Sequence, residues 1–490
     1  MPDTLPQPWF LDATSLARGL ADGHWSSLEL LDGFIERIER FDPAINAVVV
    51  RDFEAARESA KAADAARRAG GALGPLHGVP MTVKESFDVA GLPSTFGHPE
   101  RRAHRAAADS LAVVRLKQAG AIVFGKTNVP INLGDWQAFN EVYGHTVNPW
   151  DHGRTPGGSS GGAAAALAAG MTALEIGSDI GGSIRMPAHL CGVFGHKPTF
   201  GIVPMRGHEM EPDLAPPDML VAGPMGRSAA DLALAMDILA IADPEEEGVG
   251  WRLDLPPEPR KRLDQYRVAV ITGDAAFPVD TDTARTLGDI AAALRADGAE
   301  VITDPRLPLT SPEIYTLFLT LLRGATSAHF TDAELARIAS EVDAMPRTET
   351  LDYATLLPRG LVQGHRSWLM AADARERLCA AWRGFFADID LLIAPVSATA
   401  AYPHVTSLPK EKQVIQVDGT PRPAADTYYW IGIAASAYLP ATSIPAGVSR
   451  EGLPIGVQII GPQFHDRRCL AVAQLLERAH GGFVSPPAYK

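Results

Sequence analysis

Runs of apolar residues with two different periods predict that helices and strands alternate along this chain. Residues 26–40, SSLELLDGFIERIER, place apolar side chains at helical spacing behind a serine that can cap the first turn. Shorter runs that are apolar throughout, bounded by glycine, proline or charged residues, have the length of buried strands. The other predicted helices are 53–69, 110–118, 163–169, 228–242 and 282–297, and the predicted strands are 79–83, 121–124, 172–179, 266–274, 388–396 and 453–461.

This order of elements predicts an α/β fold. Strands that are apolar on both faces and alternate with helices are typical of a central mixed, mostly parallel β-sheet covered by helices on both faces. No segment has the length and composition of a linker between independent domains, so residues 1–490 are predicted to form one large domain. Its core comprises about 70–240 and 386–480, with loops at 204–262 around the 228–242 helix and a variable helical insertion at about 245–385.

Composition and charge narrow the class of protein. The 490 residues are 46% hydrophobic and carry a net charge of −14, which argues against a nucleic-acid or anionic-membrane surface. No stretch is long and apolar enough to span a membrane, and the N-terminal residues lack the pattern of a signal peptide, so a cytoplasmic location is predicted. The three cysteines are far apart and have neither metal-ligand nor disulfide spacing, so no metal site is expected.

Residues 155–170, TPGGSSGGAAAALAAG, place two serines among glycines directly before a helix-forming alanine run. A flexible linker would have polar flanks, and a phosphate-binding loop would end in Gly-Lys-Ser/Thr, which is missing here. A G-x-S-x-G nucleophile turn needs a strand directly before it, whereas residues 148–156, NPWDHGRTP, contain two prolines. The remaining interpretation is a rigid loop at the positive end of a helix, whose serine hydroxyls need a proton acceptor elsewhere.

Two other segments offer partners for these serines. Lys84 follows the apolar run 79–83 and is expected in the interior, where desolvation lowers the pKa of its amine and allows it to act as a general base. The other interpretation is a lysine that extends its ammonium to solvent from a strand end. Ser183 follows two glycines in residues 177–187, GSDIGGSIRMP, where backbone N–H groups can converge as in an oxyanion hole. A glycine-rich turn without such a role has the same pattern.

Taken together and in this order, these segments resemble the amidase signature family of serine hydrolases. The resemblance covers most of the chain outside about 245–385, and strings of this length in the right order are highly specific. The segments that carry it are GVPMTVKES (78–86), GAIVFGKTNVP (120–130), NPWDHGRTPGG (148–158), PGGSSGGAAAALAAGM (156–171), GSDIGGSIRMPAHLCGVFGHKPTFG (177–201), GPMGRSAADLAL (223–234) and LPIGVQIIGPQFHDRRCLAVAQLLE (453–477).

The resemblance implies a Ser–cis-Ser–Lys triad with Ser183 as nucleophile, Ser159 as bridging serine and Lys84 as base. It also implies a cis peptide bond between Gly158 and Ser159. An oxyanion hole and supporting positions follow from the same match, without a metal or an organic cofactor. The oxyanion hole is assigned to the N–H groups of Ile180, Gly181 and Gly182, together with that of Ser183, and the supporting positions are Ser160, Asp179 and Arg185.

The resemblance implies a small-molecule amide or carbamate substrate for a monomer or homodimer, with no nucleic-acid or membrane partner. Apolar and aromatic residues in 131–144, INLGDWQAFNEVYG, predict a substrate pocket lined by Leu133, Trp136 and Tyr143. Such walls favour hydrophobic or aryl amides, and the family also includes enzymes that cleave carbamates (urethanes) and esters. A second aromatic cluster lies at 428–430.

Two departures bear on the kind of family member. Ile180 stands where the glutaminase subunit of the tRNA-dependent amidotransferase normally has threonine, and residues 200–210, FGIVPMRGHEM, differ from the form usual in that subunit. Both departures favour a stand-alone bacterial amidase, including the urethanase kind. The glutaminase subunit is the alternative enzyme, and a scaffold that keeps the fold without activity is the alternative of another class.

Overall fold

The computed structural model describes residues 7–211, 214–345 and 352–490. Within these ranges the secondary structure follows the alternation of helices and strands that the sequence predicts. The helices are α1 (Ala13–Ala21), α2 (Ser27–Ile45), α3 (Phe53–Arg68), α4 (Leu111–Gln118), α5 (Gly161–Ala168), α6 (Arg185–Cys191), α7 (Ala229–Leu239), α8 (Thr281–Ala296), α9 (Ser311–Thr326), α10 (Asp332–Ala344), α11 (Tyr353–Leu361), α12 (His365–Asp388), α13 (Tyr428–Ala435) and α14 (Asp466–His480). The strands are β1 (Val48–Arg51), β2 (Pro80–Lys84), β3 (Ile122–Thr127), β4 (Phe139–Asn140), β5 (Gly144–His145), β6 (Glu175–Asp179), β7 (Phe194–Lys197), β8 (Val221–Gly226), β9 (Arg267–Val270), β10 (Glu300–Thr303), β11 (Leu391–Pro395), β12 (Val414–Val417), β13 (Thr420–Pro423), β14 (Ala441–Val448) and β15 (Pro454–Ile460).

Two sheets organise the described part of the chain. The larger has eight strands in the order β10-β9-β11-β15-β14-β7-β8-β6. In it β9 pairs in parallel with β10 and β11, whereas every other neighbouring pair is antiparallel. The smaller has the order β1-β3-β2, with β2 parallel and β1 antiparallel to β3. No helix in the described ranges is long and apolar enough to cross a membrane.

The predicted α/β domain with a mixed sheet flanked by helices is confirmed, but the strand directions differ from the prediction. Most pairs of the large sheet are antiparallel rather than parallel. An apolar run indicates that a strand is buried on both faces. Helices on both sides of the sheet bury the strand in this way whether it runs parallel or antiparallel to its neighbours. Strand β8 is a second difference, because it lies at Val221–Gly226, where loops were predicted. Its small residues suit close packing, since a β-carbon on Gly223 would lie 2.1 Å from the His196 carbonyl oxygen.

Local sequence signals set several of the helix ends. Ser26 caps α2, since its hydroxyl accepts from the Glu29 N–H at 3.1 Å while the Glu29 carboxylate accepts from the Ser26 N–H at 2.8 Å. Ser110 caps α4 in the same position that the apolar pattern predicts. Helix α5 is buried along its whole length, and it packs so tightly that a β-carbon on Gly162 would lie 2.3 Å from the Asn128 nitrogen.

The smaller sheet lies beside the edge of the larger one, and this brings the ends of β2 and β6 together. The Thr82 N–H donates to Thr172 Oγ1 at 2.9 Å, and the Thr82 hydroxyl donates to Glu175 Oε1 at 2.6 Å. Lys84 is the last residue of β2 and Asp179 the last of β6. The chemistry-bearing residues of both motifs therefore meet at one place.

Candidate active site

Lys84 lies in the interior with no exposed surface, as the apolar run before it predicts. Its Nζ is 2.7 Å from Ser159 Oγ and 2.9 Å from Ser178 Oγ. Burial lowers the pKa of Lys84 to about 7, against the opposing charges of Asp179 and Glu175. At neutral pH a large fraction of this amine is therefore unprotonated and able to accept a proton.

The two neighbouring serines lie on different loops that are joined through their backbones. Ser159 is in the loop before α5 and Ser183 in the loop after β6, and they are 1% and 7% exposed. The Ser160 N–H donates to the Ser183 carbonyl at 3.1 Å. The Gly158–Ser159 peptide is cis, as the family resemblance implies. A β-carbon on Gly158 would lie 2.4 Å from the Asp135 carbonyl oxygen, so this position requires glycine.

Asp179 and Arg185 form an ion pair beneath the Ser183 loop, and neither side chain is exposed. The Asp179 carboxylate also accepts from the backbone N–H groups of Gly182 at 2.9 Å and Ile184 at 3.1 Å. Although burial opposes it, the charge and hydrogen bonds of Arg185 lower the pKa of Asp179 to about 2. The pair therefore fixes the backbone on both sides of the Ser183 hydroxyl.

We expect the change Asp179→Asn to lower the free energy of unfolding by about 3–5 kcal/mol, because it leaves the buried Arg185 charge without its counter-ion. Urea unfolding followed by circular dichroism measures this loss. The matched control is Glu341→Gln, which breaks the exposed Arg337–Glu341 pair and should leave the unfolding midpoint unchanged. Equal midpoints for Asp179→Asn and the unsubstituted protein would contradict a supporting role for this ion pair.

The turn assigned to the oxyanion hole is held from both sides. The Gly182 N–H donates to Asp179, and Gly182 has a φ of 95°, in the region that favours glycine. The Gly181 carbonyl accepts from Trp136 Nε1 at 2.8 Å. Because the Gly182 N–H already donates to Asp179, it is not free to donate to a substrate oxygen. The remaining candidate donors of the predicted oxyanion hole are the N–H groups of Ile180, Gly181 and Ser183.

The predicted pocket residues lie at different distances from this turn. Trp136 is 2% exposed and contacts it directly through its indole N–H. The Tyr143 hydroxyl donates at 3.0 Å to Oε1 of Glu85, the residue that follows β2. Leu133 ends a partly exposed 3-10 turn at Ile131–Leu133. The assignment of Leu133, Trp136 and Tyr143 to a substrate pocket stays a prediction.

Residues to which the sequence assigned no role in the site complete the surroundings. The Ser178 hydroxyl contacts Lys84, although nothing in the sequence distinguishes Ser178 from other residues of a buried strand. A β-carbon on Gly181 would lie 3.4 Å from Tyr428 Cε1 and 3.7 Å from Leu322 Cδ2. Tyr428 belongs to the aromatic cluster at 428–430, so its sequence did signal an aromatic wall. Leu322 lies in the region of irregular helical pattern, which gave no such signal.

Ser160 lies directly before α5, and its hydroxyl is buried without a hydrogen-bond partner among the described residues. A β-carbon on Gly177 would lie 2.7 Å from this hydroxyl oxygen, so the side chain fills the space against β6. No group of three or more His, Cys, Asp or Glu side chains in the described ranges is arranged to hold a metal ion. The groups gathered here are an amine, four serine hydroxyls and backbone N–H groups, which suit acyl transfer to a serine.

The sequence profile of the amidase family matches residues 29–470. The chain belongs to the amidase signature family. As a member of it, the protein is an amide C–N hydrolase that acts on small-molecule amides. This amidase is 32% identical to the indoleacetamide hydrolase of Bradyrhizobium diazoefficiens, over 96% of this chain and 87% of that protein.

Three further comparisons show how varied the relatives of this amidase are. It is 32% identical to the acylamidase of Rhodococcus erythropolis, over 98% of this chain and 97% of that protein. It is also 32% identical to a glutamyl-tRNA(Gln) amidotransferase subunit of Roseiflexus castenholzii, over 94% of each chain. Among solved structures, a bacterial aryl acylamidase of the same family superposes with a TM-score of 0.79 at 26% identity, over 96% of both chains.

Proposed function

We propose that this amidase cleaves hydrophobic or aryl amides through an acyl-enzyme on Ser183. The observation that carries the proposal is the contact of the buried Lys84 amine with Ser159 Oγ at 2.7 Å, beside the Ser183 loop. A lysine without exposed surface and with a pKa lowered to about 7 is suited to accept a proton at neutral pH. The relay therefore runs from Ser183 through Ser159 to Lys84.

In the first step the Ser183 oxygen forms a bond to the amide carbonyl carbon. Its proton passes to Ser159 Oγ while the Ser159 proton passes to the neutral Lys84 amine, which becomes an ammonium. The negative charge on the carbonyl oxygen is stabilised by N–H groups of Ile180, Gly181 and Ser183. The Gly182 N–H contributes indirectly, because its hydrogen bond to Asp179 fixes the turn.

In the second step the carbon–nitrogen bond breaks and the relay runs in reverse. The Lys84 ammonium returns its proton through Ser159 to the leaving nitrogen, so the amine departs neutral and Ser183 carries the acyl group as an ester. Water then attacks this ester while the same relay accepts its proton. The bond between the acyl carbon and the Ser183 oxygen breaks, the relay returns the proton to that oxygen, and the carboxylic acid leaves with Ser183 and the neutral Lys84 amine regenerated. Carbamates and esters fit the same sequence because only the group attached to the carbonyl carbon changes.

The aromatic surroundings support the choice of substrate. Trp136 and Tyr428 pack with ring centroids 4.4 Å apart, and both lie against Gly181. Flat apolar walls next to the reacting carbonyl accommodate an aryl or other hydrophobic group better than a small polar one. The name of the aryl acylamidase that shares this fold refers to the same kind of substrate.

The proposal is tested by measuring hydrolysis of an acyl p-nitroanilide, an aryl carbamate, a p-nitrophenyl ester and free glutamine. We expect the p-nitroanilide and the ester to be cleaved, the carbamate more slowly, and glutamine at the lowest rate. If none of the first three substrates were cleaved, the proposed substrate class would be contradicted.

The alternative is the glutaminase subunit of an amidotransferase, and it is favoured by the 32% identity to the Roseiflexus amidotransferase chain. It predicts glutamine as the best of the four substrates, together with a partner protein that co-purifies with the chain. Ile180 and residues 200–210 argue against it for the reasons given above.

A further inference from the structure

Two cations flank one tyrosine hydroxyl beside the Ser183 loop, and the mechanism above uses none of these three groups. Arg323, on α9, donates from its guanidinium to the Tyr428 hydroxyl at 3.4 Å and to the Tyr353 hydroxyl. The Lys410 ammonium lies 4.8 Å from the centre of the Tyr428 ring and 3.9 Å from that of Trp136. The Tyr428 ring in turn approaches Gly181, two residues before Ser183.

The positive charges of Arg323 and Lys410 are not balanced by nearby negative charges. Among the described residues, the groups that act on the Arg323 charge are tyrosines and not carboxylates, and the Arg323 Nε is buried without an acceptor. Asp135 is the acid that acts on Lys410, but burial raises the pKa of Asp135, and its carboxylate accepts from Gln413 Nε2 at 3.2 Å. Burial alone would raise the pKa of Tyr428, but the charges of Lys410 and Arg323 outweigh it and lower that pKa. An ionised Tyr428 would still balance only one of the two cations.

A guanidinium that donates to two tyrosine hydroxyls and lacks a carboxylate partner is a favourable binding site for a carboxylate, because its planar fork of N–H donors matches carboxylate geometry. The Arg323 Cζ lies 5.3 Å from the Tyr353 ring centre and 5.8 Å from the Tyr428 ring centre, beside two rings that stack with centroids 5.5 Å apart. Leu322, its neighbour on α9, has its Cδ2 3.7 Å from the place that a β-carbon on Gly181 would take. Only the side chain of Leu322 or Tyr428 therefore separates Arg323 from the turn that would bind the reacting carbonyl.

We propose that Arg323 and Lys410, with the hydroxyls of Tyr428 and Tyr353, form a subsite for a carboxylate carried by the substrate. The inference rests on the proposed function, since it takes the carbonyl of the same substrate to lie at Ser183. It makes the preferred substrates amphiphilic, with an apolar part against Trp136 and an anionic end at Arg323. Neutral amides of similar shape remain substrates, with lower kcat/KM.

The experiment compares two p-nitroanilides of equal shape, glutaric acid mono-p-nitroanilide and its analogue in which an isopropyl group replaces the carboxylate. A second pair carries the carboxylate on the leaving aniline, as 4-acetamidobenzoate and 4-isopropylacetanilide. We expect the charged member of at least one pair to have the higher kcat/KM by about tenfold or more, as a charge-assisted bidentate contact gives. The pair that responds shows on which side of the scissile bond the subsite lies.

Variants separate the subsite from the reaction itself. Arg323→Gln and Lys410→Gln should each reduce the ratio of kcat/KM for charged over neutral substrate by about fivefold or more, with the larger effect for Arg323→Gln. Lys412→Gln, in the same 3-10 turn as Lys410 and exposed, is the matched control and should keep the ratio. Lys410→Gln changes a partly exposed side chain, so it tests the proposal even where Arg323→Gln fails to fold.

No preference in either pair, or a ratio that neither variant changes, would overturn the subsite while leaving the amidase proposal intact. Absence of hydrolysis of all four anilides by a folded protein, or undiminished hydrolysis by Ser183→Ala, would instead overturn the proposed function. The two failures are therefore distinguishable in the same set of assays.

Discussion

Ser183→Ala is expected to lower kcat/KM for an acyl p-nitroanilide by at least about a thousandfold while the protein stays folded. The substitution removes the atom that would carry the acyl group, and losses of this size or larger follow removal of a serine nucleophile. Although Ser183 is only 7% exposed, the substitution removes a single oxygen atom and leaves no large cavity, so the free energy of unfolding should change little. Initial rates with purified protein measure the effect, and circular dichroism confirms the fold.

The matched control for this variant is Ser94→Ala, another buried serine, whose hydroxyl accepts from Lys126 at 2.9 Å and lies outside the proposed relay. It should keep most of the activity. If Ser183→Ala retained more than a few per cent of the rate, or if Ser94→Ala lost as much, the assignment of the nucleophile would be wrong.

Lys84→Ala is expected to have the second largest effect, a loss of at least about a thousandfold in kcat/KM near pH 7. In the unsubstituted protein kcat/KM should rise with pH through about 7, because only the neutral amine accepts a proton and the ammonium form predominates below its pKa. The rise should approach tenfold per pH unit well below that value. In Lys84→Ala this rise of kcat/KM near pH 7 disappears, and activity returns only at high pH, where hydroxide replaces the missing base.

Lys126→Met is the control for a buried lysine on the neighbouring strand. Burial lowers the pKa of Lys126 to about 8, yet its ammonium contacts Pro93 and Ser94 rather than the relay serines. Its substitution should reduce stability but leave the pH dependence of kcat/KM unchanged in the folded fraction. A pH profile without a limb near 7, or one that Lys84→Ala preserves, would contradict the role of Lys84.

The sequence carried enough information for the elements and for the main site residues. The apolar run before Lys84 predicted its burial, and the alanine run after Ser160 predicted α5, because both depend on neighbours along the chain. Strand direction depends on connections between distant elements, which is why the large sheet was expected to be mostly parallel. Burial on both faces leaves the same apolar pattern in either direction.

The parts of the site that the sequence did not reveal depend on contacts across long separations. Ser178 contacts Lys84 only because the small sheet lies against the edge of the large one. Arg323 reaches Tyr428 only because α9 packs beside α13, and no local pattern distinguishes this arginine from those on exposed helical faces. Such contacts are set by the packing of whole elements rather than by any short motif.

The central claim is that Ser183, and not Ser159, attacks the substrate. Labelling with a fluorophosphonate, followed by proteolysis and mass spectrometry of the modified peptide, tests this most directly, because the two serines lie on different segments of the chain. We predict one adduct per chain, on Ser183, and none in Ser183→Ala. An adduct on Ser159, or undiminished labelling of Ser183→Ala, would contradict the account.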